Sequence, residues 1–221
     1  MPAERVQSNT AEQTRSALLH AALKLFGENG FDGTSTRDIA AAAKANIGSI
    51  AYHFGGKEGL RKACAEYIVA TVRGLAVQAM AFDADPARMS AADAHAQLER
   101  VLERMVTFIV ASPQAGEIVQ FILRELAHPT AALDVIYHGV FEPTHQRLCE
   151  VWAAATGEPA LAERTRITVF TLIGQVIYFR IGREAVRRRM GWNDIGPAEA
   201  AKVVAVAKDN LAAILAARKG E

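Results

Sequence analysis

The segment that most constrains this chain runs from Thr34 to Lys62, TSTRDIAAAAKANIGSIAYHFGGKEGLRK. Ser35 is an N-cap residue type, and Asp38 stands three residues on, the spacing of a capping box. Ile39 and the alanines after it make a small-residue helix that packs closely. Lys44-Ala45-Asn46 breaks that helix, and Asn46 caps a second short helix from Ile47 to Phe54. Gly55-Gly56 ends the second helix, and Lys57 opens a third. Two short helices with a tight turn between them are the plan of a helix-turn-helix, in which the second helix enters the major groove of DNA.

The second helix carries groups suited to that groove. Asn46, Ser49, Tyr52 and His53 are short or planar donors and acceptors, and Gly48 lets backbone approach a phosphate at a helix N-terminus. Ile47 is placed to touch a thymine methyl or simply to stand exposed. Lys57 follows the Gly-Gly turn, where a phosphate contact is expected. With Thr36 and Arg37 these residues form the candidate DNA-binding set. Five Lys/Arg (Arg37, Lys44, Lys57, Arg61, Lys62) face Asp38 and Glu58 in this segment, whereas the whole chain has a formal charge of only +1. Positive charge is therefore locally enriched, though not enough to carry the case by itself. Ile39, Ala40, Ala43, Ile50 and Phe54 recur at helical spacing and are expected in the core.

The order Thr-Ser-Thr-Arg-Asp-Ile-Ala, then Gly48-Ser49-Ile50, Tyr52-His53-Phe54 and Lys57-Glu58-Gly59-Leu60, resembles the DNA-binding domain of TetR-family transcriptional regulators. AALKLFGENGFDGTS, Ala21 to Ser35, resembles the family's first helix and its exit. The chain departs from the family pattern at Lys44, where Gly is frequent, so a non-Gly residue must occupy a tight turn. It departs again at Ala51, where a Tyr is frequent, which removes one phosphate or base contact.

Composition points to an all-α protein: alanine dominates, only seven prolines occur in 221 residues, and alternating β-branched runs are absent. No apolar run approaches the ~20 residues of a membrane span. The polar start MPAERVQSNTAEQ lacks the apolar stretch of a signal peptide. Cys64 and Cys149 form no Cys-x-x-Cys pair and read as buried thiols in a reducing cytosol, so a cytoplasmic protein is expected. The expected domains are a helix-turn-helix DNA-binding domain over 10–56 and an effector-binding and dimerisation domain over 57–220.

Along the chain, helix 1 is expected to begin after Thr10 and to stop at Gly30. Helix 4 should run from Lys57 to about Met80, followed by the loop Phe82 to Ser90. Ser90 and Asp93 cap a helix carrying Leu98, Leu102, Met105, Phe108 and Ile109. A helix from about Ala115 to Ala127 precedes a long segment capped by Thr130, which Pro143 should kink or divide. One apolar helix is expected from Ala160 to Arg189, and a last one from Pro197 to about Ala217. The former is apolar on more than one side, which implies one stripe against the domain and one against a partner.

FILRELAHPTAALDVIYHGVFEP and IGQVIYFRIGREAVRRRMGW resemble the effector domain of the CecR-type subgroup of TetR regulators. That resemblance implies an obligate homodimer through the last two long helices and a small-molecule pocket in each effector domain. The candidate dimer residues are Val176, Phe179, Leu211 and Leu215. The candidate ligand-binding residues are Phe108, Phe141 and Phe170 as walls, with His145 and Gln175 as polar anchors, because Pro143 prevents close packing and Gly174 leaves a notch. His138, Glu142, His145 and Cys149 share metal-ligand spacing on one helical face, but Pro143 interrupts the set, so no metal and no cofactor is expected. Arg187-Arg188-Arg189 reads as a solvated helix end.

The expected function is a ligand-responsive regulator, most simply a repressor, that binds a palindromic double-stranded DNA operator as a homodimer. A small hydrophobic or aromatic effector would release it. Control by a protein partner is the alternative. No Gly-rich phosphate loop, nucleophile elbow or paired catalytic carboxylates stand out, which disfavours an enzyme.

Overall fold

The computed structural model describes residues 3–79 and 85–218, with side chains described over 10–75 and 85–218. Eleven α-helices and no strand occur among the described residues: α1 Ala3–Asn29, α2 Thr36–Ala42, α3 Gly48–Phe54, α4 Lys57–Ala79, α5 Ala91–Val106, α6 Pro113–Ala127, α7 Ala131–Ile136, α8 Glu142–Thr156, α9 Glu163–Ile181, α10 Arg183–Met190 and α11 Pro197–Arg218. A 3-10 turn covers Pro86–Arg88, and π-helical turns cover Thr107–Ala111 and Tyr137–Phe141. The chain forms two compact units. One comprises residues 1–71 and 117–139, the other residues 72–116 and 140–221. The division thus falls within α4 rather than after residue 56, because Leu60, Ala63, Cys64, Ala65 and Ile68 of α4 are buried.

In the first unit, α1 starts at Ala3, upstream of the expected Thr10, and presents Leu18, Leu19, Ala22, Leu23 and Phe26 to the core. Gly30, at φ 76°, ends it with a left-handed turn. Residues Ile39 and Ala40 of α2, Ile50 of α3, and Ile118 and Phe121 of α6 are also buried in this unit. Gly27 lets α6 come close, since a Cβ there would stand 3.1 Å from Gln120 Cβ. The expected end of α4 at Met80 and the loop start at Phe82 lie outside the described residues; the remainder of that loop holds the 3-10 turn.

In the second unit, the Ser90 hydroxyl accepts from the Asp93 amide at 3.1 Å and starts α5 as expected. The core gathers Leu98, Leu102 and Val106 of α5, Leu148, Val151 and Trp152 of α8, Val169, Leu172 and Val176 of α9, and Val203, Ala207, Leu211 and Leu215 of α11. The segment after Thr130 stays helical through Pro143 rather than dividing there; Pro143 has no N–H to continue the ladder, and the turn before it widens to a π-turn. The single helix expected over 160–189 is instead α9 and α10, broken at Gly182. Among the described residues no single helix is long and apolar enough to cross a membrane.

Candidate nucleic-acid interface

The turn between α2 and α3 is built by an uncommon residue. Lys44, at φ 51°, is the only non-Gly residue with positive φ among the described residues. The Ala45 amide donates to the Ala40 carbonyl at 2.9 Å and the Lys44 amide to the Ala41 carbonyl at 3.1 Å. These two bonds form a Schellman motif, with lysine at the left-handed position that glycine favours. Asn46 then accepts from the Gly48 amide through its side-chain oxygen at 2.8 Å, which starts α3. At the other end of the pair, Ser35 and Asp38 form the expected reciprocal capping box. Hydrogen bonds from Ser35 hold the Asp38 carboxyl below the usual carboxylate range.

Ile50 is buried and anchors α3, Phe54, expected in the core, is half-buried at its end, and Gly48, Ala51 and Tyr52 face outward. Tyr52 is 83% exposed and Ile47 47% exposed. Asn46 and Gly48 are exposed, and Ser49 and His53 half-buried, with the His53 ring edge-on to Tyr52 at 4.9 Å. Arg37 is exposed and Thr36 half-buried at the start of α2. Seven residues of α3 span about 10 Å, a fit to a major groove ~12 Å wide. Lys57 is less free than expected: its ammonium lies 4.1 Å from the centre of the Phe31 ring, which Arg61 also covers at 3.8 Å.

Two supports of this geometry carried little signal in the sequence. Thr34 is buried, and its one hydroxyl proton is shared between the carbonyls of Gly30 at 2.8 Å and Leu25 at 3.1 Å, fixing the loop ahead of α2. At Gly59 a Cβ would fall 1.8 Å from the Phe54 carbonyl oxygen, so only glycine lets α4 start this close to the end of α3. The motif Lys-Glu-Gly-Leu contains that glycine, but the reason for it lies in the turn.

In the second unit the two apolar stripes expected on α9 are present, with their residues exchanged. Val176, Leu211 and Leu215 are 1–2% exposed within one chain and belong to its core, and Phe179 packs against that core. They are not a free face for a partner. The outward stripe is Ile167, Phe170, Gly174, Tyr178 and Ile181, with Phe170 61% exposed. Phe170 is therefore not a cavity wall; it stacks on His145 at 3.9 Å, and the His145 Nε2 lies 3.1 Å from the Arg166 carbonyl oxygen. Phe108 and Phe141 sit half-buried in the two π-turns. The apolar cavity described in this unit measures about 30 Å³ and is lined by α5, α8, α9 and α11 residues including Leu98, Met105, Leu148, Leu172 and Leu211. None of the five expected ligand residues lines it. Gln175 nonetheless has an enclosed Nε2 with no hydrogen-bond partner, while its Oε1 accepts from Asn210 at 3.2 Å.

The π-turn at 137–141 alters the helical register between His138 and Cys149, so the four residues no longer share one face. Cys149 Sγ lies 3.8 Å from His145 Nδ1, and among the described residues no group of three or more ligands is placed to hold a metal. Cys64 and Cys149 are free and buried, and burial pushes both thiols up.

A capped helix pair with an outward-facing second helix, on an all-helical scaffold, defines a helix-turn-helix protein. Residues 18–64 match the model for bacterial regulatory proteins of the tetR family, and residues 94–218 match that for the C-terminal domain of the HTH-type transcriptional dual regulator CecR. The chain belongs to the TetR family of DNA-binding transcriptional regulators, and within it carries the CecR-type C-terminal domain. It is 37% identical over 185 residues, 82% of each chain, to the HTH-type transcriptional dual regulator CecR of Shigella flexneri. Its fold is similar to that of a solved transcriptional regulator from Pseudomonas aeruginosa PAO1, at a TM-score of 0.65 and 20% identity over 91% of each chain. AibR, solved in complex with isovaleryl coenzyme A and operator DNA, has a TM-score of 0.58 at 18% identity, over 76% of this chain and 86% of AibR. The relatives are named as transcriptional regulators, not enzymes.

Proposed function

We propose that the protein is a ligand-responsive regulator, a repressor in its simplest form, which binds a palindromic operator as a homodimer and is released by a small hydrophobic effector. The outward face of α3, with Ile50 buried beneath Asn46, Ile47, Ser49, Tyr52 and His53, is the observation that carries DNA reading. The exposed α9 stripe from Ile167 to Ile181 supports dimerisation, since an apolar row of this length in water favours a partner. Two heads held on a two-fold axis read two half-sites, which makes the operator a palindrome.

The effector reading is supported by the wholly apolar lining of the cavity between α5, α8, α9 and α11. A volume of about 30 Å³ requires these helices to part before an effector enters. Met105, unbranched and adaptable, is the wall residue best able to yield. Such an effector shifts DNA affinity only by binding the parted state better than the DNA-bound state. AibR, with both an acyl-coenzyme A and operator DNA in one complex, makes hydrophobic acyl compounds a sensible first screen.

Selection of bound fragments from random DNA tests the whole. Palindromic sites, occupied by two chains and released by a screened compound, are expected. Recovery of unpaired half-sites would refute the dimeric reader. Because the cavity is small, control by a protein partner is the second reading, and operator binding that no compound shifts would favour it.

A further inference from the structure

The face that α3 turns outward carries little polar chemistry. Ile47, just ahead of the helix, already has helical dihedrals, φ −58° and ψ −35°, so it extends that face by one residue. Between 47 and 54 the exposed residues are Ile47, Gly48, Ala51 and Tyr52, one side of a helix at i, i+1, i+4 and i+5. Only Tyr52 among them brings a polar side-chain group. The helix itself, GSIAYHF, holds no Arg, Lys, Asn, Gln, Asp or Glu. Those are the side chains that read guanine, adenine and cytosine in the major groove by charged or two-point hydrogen bonds. Asn46 stands before the helix and is held as its cap, with Oδ1 accepting from the Gly48 amide at 2.8 Å. Ser49 and His53 are half-buried at the edges of the face. A hydroxyl such as that of Ser49 serves more than one base and selects none strongly.

What the groove offers to an apolar face is narrow in kind. The C5-methyl of thymine is the apolar group in the pattern of base edges there, and aliphatic side chains are its natural contacts. Ile47 is 47% exposed, which leaves its branched side chain in water until a partner covers it. Ala51 lies one turn on, about 6 Å along the helix axis, less than two base-pair steps of about 3.4 Å. Gly48, exposed beside both, adds no side chain to hold the bases away. Cations near the helix pair, Arg37 and Lys57 among them, suit phosphates, which fix position without reading sequence.

We propose that Ile47 and Ala51 determine operator specificity by contact with thymine methyl groups, so that each half-site presents two thymines within about two base-pair steps of one another. This rests on the reading of α3 as the helix that enters the groove, and adds what that helix recognises there. The sequence preference then comes from apolar contact, with Ser49, Tyr52 and His53 supplying single hydrogen bonds around it.

The test uses the full-length protein and the tightest duplex recovered from random DNA, with each thymidine replaced in turn by deoxyuridine, which removes the methyl and keeps the base pair. At two positions per half-site the replacement should weaken binding about fourfold, the worth of one buried methyl-sized group. Ile47→Ala, at an exposed position where folding is not at stake, should weaken the thymine duplex roughly tenfold, since both half-sites lose the contact. In that variant one of the two methyls should become worth less than about twofold, the coupling expected of groups in direct contact. Ala51→Ser should do the same to the other. Recovered half-sites without paired thymines, deoxyuridine tolerated at every position, or a methyl effect unchanged in both variants would each overturn the proposal. Tyr52→Ala separates the two levels. If it weakens the operator while deoxyuridine is tolerated everywhere, α3 enters the groove but does not read methyls. If Tyr52→Ala, Ile47→Ala and deoxyuridine all leave affinity unmoved, α3 is not the reading helix and the proposal falls with it.

Discussion

Lys44 occupies the left-handed position of the turn that sets the angle between α2 and α3, and both Schellman hydrogen bonds hold it there. An L-residue in this conformation costs roughly 1–2 kcal/mol relative to glycine, part of which glycine returns through its greater freedom in the unfolded chain. Lys44→Gly should therefore stabilise the protein by about 0.5 kcal/mol and raise Tm by about 2 °C in a thermal melt. A fall in Tm would mean that the lysine side chain makes a compensating contact. Lys57 poses the opposite question, because its ammonium rests on Phe31 while its place directly after the Gly55-Gly56 turn suggests a phosphate contact. If Lys57 reaches a phosphate, Lys57→Ala should weaken specific and nonspecific DNA alike and lower the magnitude of the salt slope by about one. Binding measured across several salt concentrations gives that slope, and an unchanged value would assign Lys57 to Phe31 alone.

Helix ends settle much of the architecture at the next scale. The π-turn after α5 leaves carbonyls that cannot bond within the helix, and α9 and α10 supply their donors. Arg180 donates to the carbonyls of Ile109 and Ser112, and Arg183 to those of Val110 and Ile195. Removing the first guanidinium strands partly buried carbonyls, so Arg180→Met should cost roughly 2–3 kcal/mol in urea unfolding. A cost near zero would show that water replaces the guanidinium. On α10, Glu184 accepts from both Arg187 and Arg188, and these bonds lower its carboxyl to about 2. A carboxyl depressed in the folded state stabilises above its ordinary range and loses that contribution as pH falls through the folded value. The pairing on α10 should thus persist through mild acid and fail only near pH 2, which a carbon-detected NMR titration of Glu184 would follow. A midpoint in the ordinary carboxylate range would mean that the two arginines do not hold it in solution. The arginine run expected to be merely solvated is in part a local ion-pair cluster.

For the whole molecule, the proposed homodimer gives the two apolar faces of α9 different parts to play. Phe170 and Tyr178 stand exposed, whereas Phe179 leans on the core of its own unit. Phe170→Glu should leave helicity and melting nearly unchanged while shifting sedimentation from dimer to monomer. Phe179→Glu should instead lower stability by roughly 2 kcal/mol or more, the penalty for a carboxylate pushed against an apolar core. A dimer that persists with Glu at both Phe170 and Tyr178 would place the interface elsewhere. Much of this plan was legible before any coordinates. The capping pairs Ser35–Asp38 and Ser90–Asp93, the Asn46 start of α3 and the stop at Gly30 are local events, decided by side chains within a few residues of the backbone they satisfy. The motif around Tyr52 and the two apolar stripes of α9 were legible for the same reason, since spacing along one helix fixes which residues share a face. Periodicity cannot say which of two apolar stripes owns the core, however, because both satisfy the same 3.6-residue rule. That choice rests on the neighbours: Leu98, Leu148, Trp152 and Leu211 close over Val169, Leu172 and Val176, and so leave Phe170 and Tyr178 outside.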